Sequence, residues 1–281
     1  MKSFDLSIYG NLILDRVLHL QEFPREGIAQ TVSNTSLHPG ASANVAAAYY
    51  KLTGTKPQLF SFVGSDPDGA VCIETLSRYC EASIEALDRQ NTSTAVILDS
   101  LHRSSRTGLV SWGACTDMST FTETLSKWKH FCYIDKLNNL DKQTLKNMSG
   151  LKSADLTSFD YDDQGRARIM NAISEIDYVV TAKEEAGYLI KSDDIEEIAT
   201  KIGSACKSYV ILHDPKGSYL CDGNYLEYVS AEHDVLSGIS VLGAGDIFAA
   251  AFIANHTPEL TLKNILIKSH NSTYEILKER K

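Results

Sequence analysis

The sequence predicts an α/β fold: a mainly parallel central sheet flanked by helices, with a small second sheet standing off it. Two observations lead there. Short apolar runs alternate with helical patterns along most of the chain, as strand–helix–strand units require. Two stretches break that rhythm, each with two strand-like runs joined by a polar loop, and these read as antiparallel hairpins.

Residues 4–10 are an apolar run ending at Gly10, a first strand closed by a glycine turn. Residues 13–20 and 29–35 make the first hairpin, separated by Glu22-Phe23-Pro24-Arg25-Glu26-Gly27. Residues 41–53 are Ala-rich and stop at Gly54, which suits a helix closed by a left-handed glycine. Residues 57–63 form a second strand ending at Gly64, and after the turn Ser65-Asp66-Pro67-Asp68 a helix is expected over 69–80. The second hairpin joins 94–99 to 107–112 through a loop containing His102, Arg103 and Arg106. Further strands are expected at 130–135, 154–160, 177–181 and 209–213, with helices near 140–149, 164–175, 183–190 and 194–206. A small sheet projecting over the carboxyl ends of the parallel strands would make a lid for a ligand cleft.

No repeat, low-complexity tract or long Pro/Gly-rich linker divides the 281 residues. A single domain over 1–281 is expected, with lid segments at about 12–36 and 91–113 inserted in it. The formal net charge of -9 argues against a nucleic-acid partner, which needs a basic footprint. It does not argue against a small anion, because backbone dipoles hold a phosphate in a protein of any net charge. No apolar run approaches the ~20 residues of a membrane span. With no signal peptide visible, a cytoplasmic location and no membrane partner are expected. The six cysteines form no C-x-x-C pair and read as reduced thiols. The eight histidines lack the spacing of a metal site.

The chemistry concentrates in two segments. Gly243-Ala244-Gly245-Asp246 is a Gly-x-Gly turn feeding a small-residue helix. Such a turn leaves several backbone N–H groups unpaired at the helix start, where glycine lets an anion approach. Asp246 then lies beside the proposed anion, or simply complements the helix dipole. Pro39-Gly40-Ala41-Ser42-Ala43-Asn44 is a turn entering a helix of small side chains. There Asn44 offers donors and an acceptor to a polyhydroxyl ligand, or serves only as a capping residue.

Together and in this order, the segments resemble the ribokinase-like (PfkB) family of sugar and nucleoside kinases, over nearly the whole chain. Gly10-Asn11-Leu12-Ile13-Leu14-Asp15 resembles the strand end whose aspartate binds substrate hydroxyls, here Asp15. Residues 39–44 resemble the substrate turn G-G-x-x-A-N, which implies Gly40 and Asn44 as substrate contacts. Phe62-Val63-Gly64-Ser65-Asp66-Pro67-Asp68-Gly69 resembles the V-G-x-D-x-x-G turn. Residues 243–246 resemble the end of the D-T-x-G-A-G-D signature. The resemblance implies a doubly wound sheet with a β lid, and MgATP as donor. It implies an anion hole from Gly243, Ala244 and Gly245 and Asp246 as general base. It also implies a homodimer through the lid.

The same comparison exposes departures. D-T-x is replaced by Ser240-Val241-Leu242, so the monovalent-cation site the aspartate would help build is in doubt. N-x-x-E falls on Ala182-Lys183-Glu184-Glu185, which leaves Glu185 as the magnesium-linked acid. Lys183 is then either a phosphate contact or a solvated lysine. T-x-G-x-x-G reads Leu212-His213-Asp214-Pro215-Lys216-Gly217, and only Gly217 keeps its place as a nucleotide contact. An aspartate near phosphates is unfavourable unless it is metal-bound or turned away. Arg89, Arg103 and Arg106 could meet an anionic substrate or be ordinary surface arginines. Asn264 and His270 lie on a C-terminal helix that, in the family, lines the adenine pocket.

The expected function is an ATP-dependent kinase acting on a hydroxyl of a small sugar or sugar acid. Alternatives are a nucleoside kinase and a non-catalytic sugar- or nucleotide-binding protein on the same fold. A Rossmann dehydrogenase is disfavoured, because no G-x-G-x-x-G follows the first strand.

Overall fold

The computed structural model describes residues 4–100, 105–116, 125–132, 142–157 and 162–280. The chain enters through β1 (Phe4–Gly10), β2 (Leu12–Leu20) and β3 (Asn34–Ala41) and turns into α1 (Ser42–Thr53). Next come β4 (Gln58–Gly64), α2 (Pro67–Leu76), β5 (Glu81–Leu87), β6 (Ser93–Ser100) and β7 (Ser105–Ser111). The middle of the chain holds β8 (Ser126–Cys132), α3 (Lys142–Asn147), β9 (Leu151–Ala154), α4 (Asp163–Ile173) and β10 (Tyr178–Ala182). After it follow α5 (Lys183–Ile190), α6 (Ile195–Ala205), β11 (Tyr209–Asp214), β12 (Gly217–Cys221) and β13 (Leu226–Ser230). Two helices close the chain, α7 (Ala244–Asn255) and α8 (Leu262–Lys278).

The large sheet has nine strands in the order β13-β12-β11-β10-β9-β8-β1-β4-β5. Every pairing from β5 to β11 is parallel, while β12 and β13 continue the edge as an antiparallel hairpin. Strand alternation puts Leu6 and Ile8 into a core with Val45 of α1, Phe248 and Phe252 of α7 and Leu266 of α8. On the opposite face Tyr9 packs with Phe131, Leu156, Ile169, Ile202 and Leu212. Helices on both faces bury the middle of the sheet, so β1, β4 and β8 are buried along most of their length.

The small sheet has the order β3-β2-β6-β7. Its two antiparallel hairpins are joined by a parallel β2–β6 pairing, and Ile13, Val17, Ala95, Ile97 and Cys115 form its own core. The first hairpin is shifted from the expected register. Its second strand begins at Asn34, opposite His19; Ser33 just before it donates to the His19 carbonyl, and residues 29–32 are not part of the strand. It continues through Pro39 and Gly40, and proline is tolerated because β3 is an edge strand. The turn into α1 therefore falls at Ala41, held at φ 53° in a region a non-glycine residue rarely occupies.

Other differences also have local causes. The helix expected over 69–80 starts at Pro67, because Asp66 accepts from Gly69 N–H at 2.8 Å, and ends at Leu76. The chain then enters β5, whose mostly exposed residues hid a strand from the pattern. The strand expected at 130–135 is β8, four residues earlier. Its lysines disguised it, yet Lys129 is fully buried and donates to the Ser149 carbonyl. The strand expected at 154–160 is β9 at 151–154; residues 133–135 and 158–160 lie outside the described residues. The β12–β13 hairpin was not predicted. All six cysteines are free. Among the described residues no helix is long and apolar enough to cross a membrane.

Candidate active site

The start of α7 is built by Gly243, whose φ of 71° turns the chain from the preceding loop into the helix. A Cβ there would lie 2.9 Å from Asn44 Nδ2 and 3.4 Å from Asp246 Oδ2, so the glycine also leaves room for these side chains. The N–H of Ala244 donates to Val241 O at 3.1 Å and is spent on the turn. The N–H groups of Gly243 and Gly245 have no protein acceptor among the described residues, and the first turn of a helix leaves such donors open. Of the three expected anion-hole donors, two are thus open and Ala244 is occupied. Asn44 on α1 donates to Asp246 Oδ2 at 2.8 Å, tying the two predicted segments together.

Asp246 has acidic neighbours. Asp155, just past β9, and Glu185, in the first turn of α5, share two hydroxyls. Thr157 Oγ1 lies 2.9 Å from both Asp155 Oδ1 and Glu185 Oε2, and Thr181 Oγ1 lies 3.2 Å from both. Burial pushes the Asp246 carboxyl up to about 8, with the charges of Asp155 and Glu185 adding to the shift. The Asn44 hydrogen bond and the Arg106 charge oppose it. Glu185 is raised to about 7 by burial and by Asp155, and burial raises Asp155 as well. Several carboxylates crowded in a dry site hold protons that a cation would displace. Asp155, Thr157 and Thr181 escaped the sequence reading. Asking which polar residues follow each parallel strand would have found Asp155 and Thr157, whereas Thr181 lies inside β10.

Asp15 lies in β2 at 6% exposure, and burial pushes its carboxyl up to about 7. No donor among the described residues satisfies it. Gly40 is pressed against it across the β2–β3 pair: a Cβ there would fall 2.0 Å from Asp15 Oδ2. Only glycine fits. The predicted pair Asp15 and Gly40 therefore packs together, while Asn44 reaches Asp246.

A cavity of about 320 Å³ opens beside Asp155, Glu185 and Asp246; Asp15, Gly40 and Asn44 are not on its wall. Arg106, Asp155, Glu185, Asp214 and residues 243–246 line it together with His213, His233, His270 and Tyr274, and His213 lies against Gly245. The His233 ring stacks on Tyr274 at 4.3 Å, and His270 Nε2 lies 2.8 Å from Ser218 Oγ. Burial holds His213 near 3 and His270 near 4, so both rings are neutral and, with Tyr274, make that part of the wall aromatic.

Two expected nucleotide contacts stand just off the cavity wall, each joined to Asp214 on it. Gly217 sits in the β11–β12 turn off the cavity wall, its Cα packed against Val229 and Tyr228, so its glycine answers a steric need. Lys183 is also off this wall and pairs with Asp214 at 3.4 Å. Burial works against its charge, but the Asp214 hydrogen bond and charge raise its pKa overall. Asp214 itself lines the cavity, but Lys183 engages its Oδ2 and the N–H groups of Lys216 and Gly217 hold its Oδ1 at 2.7 and 3.1 Å, which offsets its charge toward phosphates. Of the arginines, Arg106 lines the cavity, Arg89 is an exposed turn residue at φ 67°, and Arg103 lies outside the described residues. Asn264 is off the wall, in the first turn of α8, where its N–H meets Thr261 Oγ1.

The pfkB family carbohydrate kinase model matches residues 3–272. A nucleoside kinase of Methanothermobacter thermautotrophicus is 32% identical over 114 residues. That match spans 39% of this chain and 36% of the relative's length. Adenosine kinase from Sinorhizobium meliloti superposes with a TM-score of 0.79 at 17% identity, covering 98% of this chain and 94% of that one. Arabidopsis thaliana ribokinase, solved with ribose and ATP, gives 0.71 at 17% identity, covering 99% of each. At such identities the structural likeness concerns the fold.

Proposed function

The chain belongs to the pfkB family of carbohydrate kinases, and from that premise we propose that it transfers the γ-phosphoryl group of ATP to a hydroxyl of a small sugar or sugar acid, with Asp246 as general base. The observation that supports this most is the buried Asp246 carboxyl, held by Asn44 beside the open N–H groups of Gly243 and Gly245. In the transfer, the acceptor O–H proton goes to Asp246 as the oxygen bonds the γ-phosphorus, and the bond to the ADP oxygen breaks. The open N–H groups face the charge on the transferring group. Ala244 contributes through the turn that its N–H closes.

Asp15 is a buried acceptor without a donor, and a polyol supplies O–H donors; Gly40 keeps its carboxylate in reach. The aromatic part of the cavity wall, with the neutral rings of His213 and His270 and with Tyr274, suits a nucleobase. Magnesium takes one or two carboxylates and completes its shell with water and phosphate oxygens. Asp155 and Glu185, both raised by burial, fit that demand and would hold it. When bound it neutralises phosphate charge. Ser240 leaves the turn without the acid of a monovalent-cation site.

A nucleoside acceptor is the second reading, favoured by the 32% identity to a nucleoside kinase. A screen of ADP release over sugars, sugar acids and nucleosides separates the two, and no ADP release with any acceptor would count against both. A homodimer through the lid is supported by exposed Leu37 and Leu109, which lie on one cross-strand row of its sheet. Light scattering that gives a monomer mass would contradict it.

A further inference from the structure

Behind the Gly243 turn lies a second cavity of about 620 Å³, lined by Ser240, Leu242, Asn44, His38 and Arg280 among others. Arg280 is the one lysine or arginine on that wall among the described residues, and its Nη1 donates to the Leu242 carbonyl. The loop it grips, residues 231–243, has no regular structure. Apart from Arg280, the end of this loop is fastened by Ala244 N–H to Val241 O and Leu242 N–H to Ser240 Oγ at 3.4 Å.

The Leu242 carbonyl and the Gly243 N–H belong to one peptide unit, and a trans peptide points them in opposite directions. A donor that fixes the oxygen therefore fixes where the N–H aims, and a cation there polarises it. We infer that Arg280 is a positioning residue: a built-in cation behind the turn that aims and strengthens the Gly243 donor toward the transferring phosphoryl group. This rests on the kinase reading. A turn with its own cation needs no dissociable one, which accords with Ser240 standing where a carboxylate would recruit it.

The charges around Arg280 agree. Burial lowers the Arg280 pKa overall, and the charges of Asp99 and Asp246 oppose that shift and favour the protonated guanidinium. Asp99 is fully buried, with one oxygen on His19 at 3.1 Å and the other without a partner, so a nearby cation offsets a costly carboxylate. The residue as a whole is exposed, just past α8, which leaves the guanidinium site open to a small molecule.

The test is chemical rescue. Arg280→Ala is expected to lower kcat roughly 10- to 100-fold, somewhat less than loss of an anion-hole donor, with the acceptor KM little changed. Guanidinium chloride well below denaturing concentration is expected to restore much of the loss, whereas urea is not. Arg280→Lys is expected to fall between the two, and the parent is expected to run equally well in potassium and sodium salts. A folded Arg280→Ala with parental kcat would overturn the inference, as would rescue by urea or a parent that requires potassium. If the parent turns over no acceptor, the kinase reading fails by itself, and the same variants are then read by ATP affinity in calorimetry. Weakened binding restored by guanidinium supports the inference; unchanged affinity, or a parent that binds no ATP, overturns it.

Discussion

The side-chain amide of Asn44 donates to Asp246 Oδ2 at 2.8 Å, joining α1 to α7 across 202 residues of sequence. The bond stabilises the ionised carboxyl, against burial and the Asp155 charge, which favour the neutral form. Asn44→Leu removes the donor at similar volume. The pH at which kcat/KM turns on is then expected to move up. A pH–rate profile of the two proteins checks this, and an unshifted profile would separate Asn44 from the base.

The parent profile has a direction of its own. An aspartate with a pKa of about 8 is protonated through most of the neutral range, and a base must be ionised to work. In the ligand-free enzyme kcat/KM is therefore expected to rise with pH up to about 8. Folding should show the opposite trend. Asp15, Glu185 and Asp246 are raised to about 7, 7 and 8, so the stability their neutral forms contribute is present at low pH and lost as pH rises through those values. The unfolding temperature is expected to fall between pH 6 and pH 8.5. Asp246→Asn is expected to fall less and to be the more stable protein at the alkaline end, by about 2–4 °C per kcal/mol recovered.

Gly40→Ala tests the substrate pocket. The new methyl would fall 2.0 Å from Asp15 Oδ2, so the carboxylate must move. Overpacking of this kind costs about 1–3 kcal/mol, and acceptor KM is expected to rise roughly tenfold while ATP KM stays put. Titration of each substrate in turn checks it. An equal rise in both constants would mean a general distortion.

Glu185 and Lys183 make a contrasting pair. Glu185→Gln removes one of two carboxylates offered to magnesium and is expected to raise the half-saturating magnesium concentration about tenfold or more. Lys183→Ala breaks a half-exposed pair with Asp214 on the cavity wall and is expected to raise ATP KM by no more than about threefold. Magnesium and ATP titrations read both.

The sequence made the parallel sheet, the lid and the Gly243 turn legible because each rests on a local pattern: apolar runs ending in glycine, paired short strands, glycines before a helix. Register was not legible. Strand β8 conceals its burial behind Lys127 and Lys129, and β3 runs on through Pro39 only because no strand lies outside it. The site residues read from spacing, Asp15, Gly40, Asn44 and Asp246, do meet as pairs. Those that depend on tertiary contact were hidden. Asp155 becomes informative only beside Glu185, and the packing of Gly217 on Val229 and the pairing of Lys183 with Asp214 give these two a structural role that spacing could not show.

The role of Asp246 as base is tested most directly by Asp246→Asn, which keeps shape and removes basicity. ADP release with the best acceptor from the screen is compared with acceptor and ATP affinity by calorimetry on the same folded variant. The account expects turnover to fall by at least about 10²-fold, the lower range of general base catalysis, with both affinities retained. Turnover within a few-fold of the parent would contradict it.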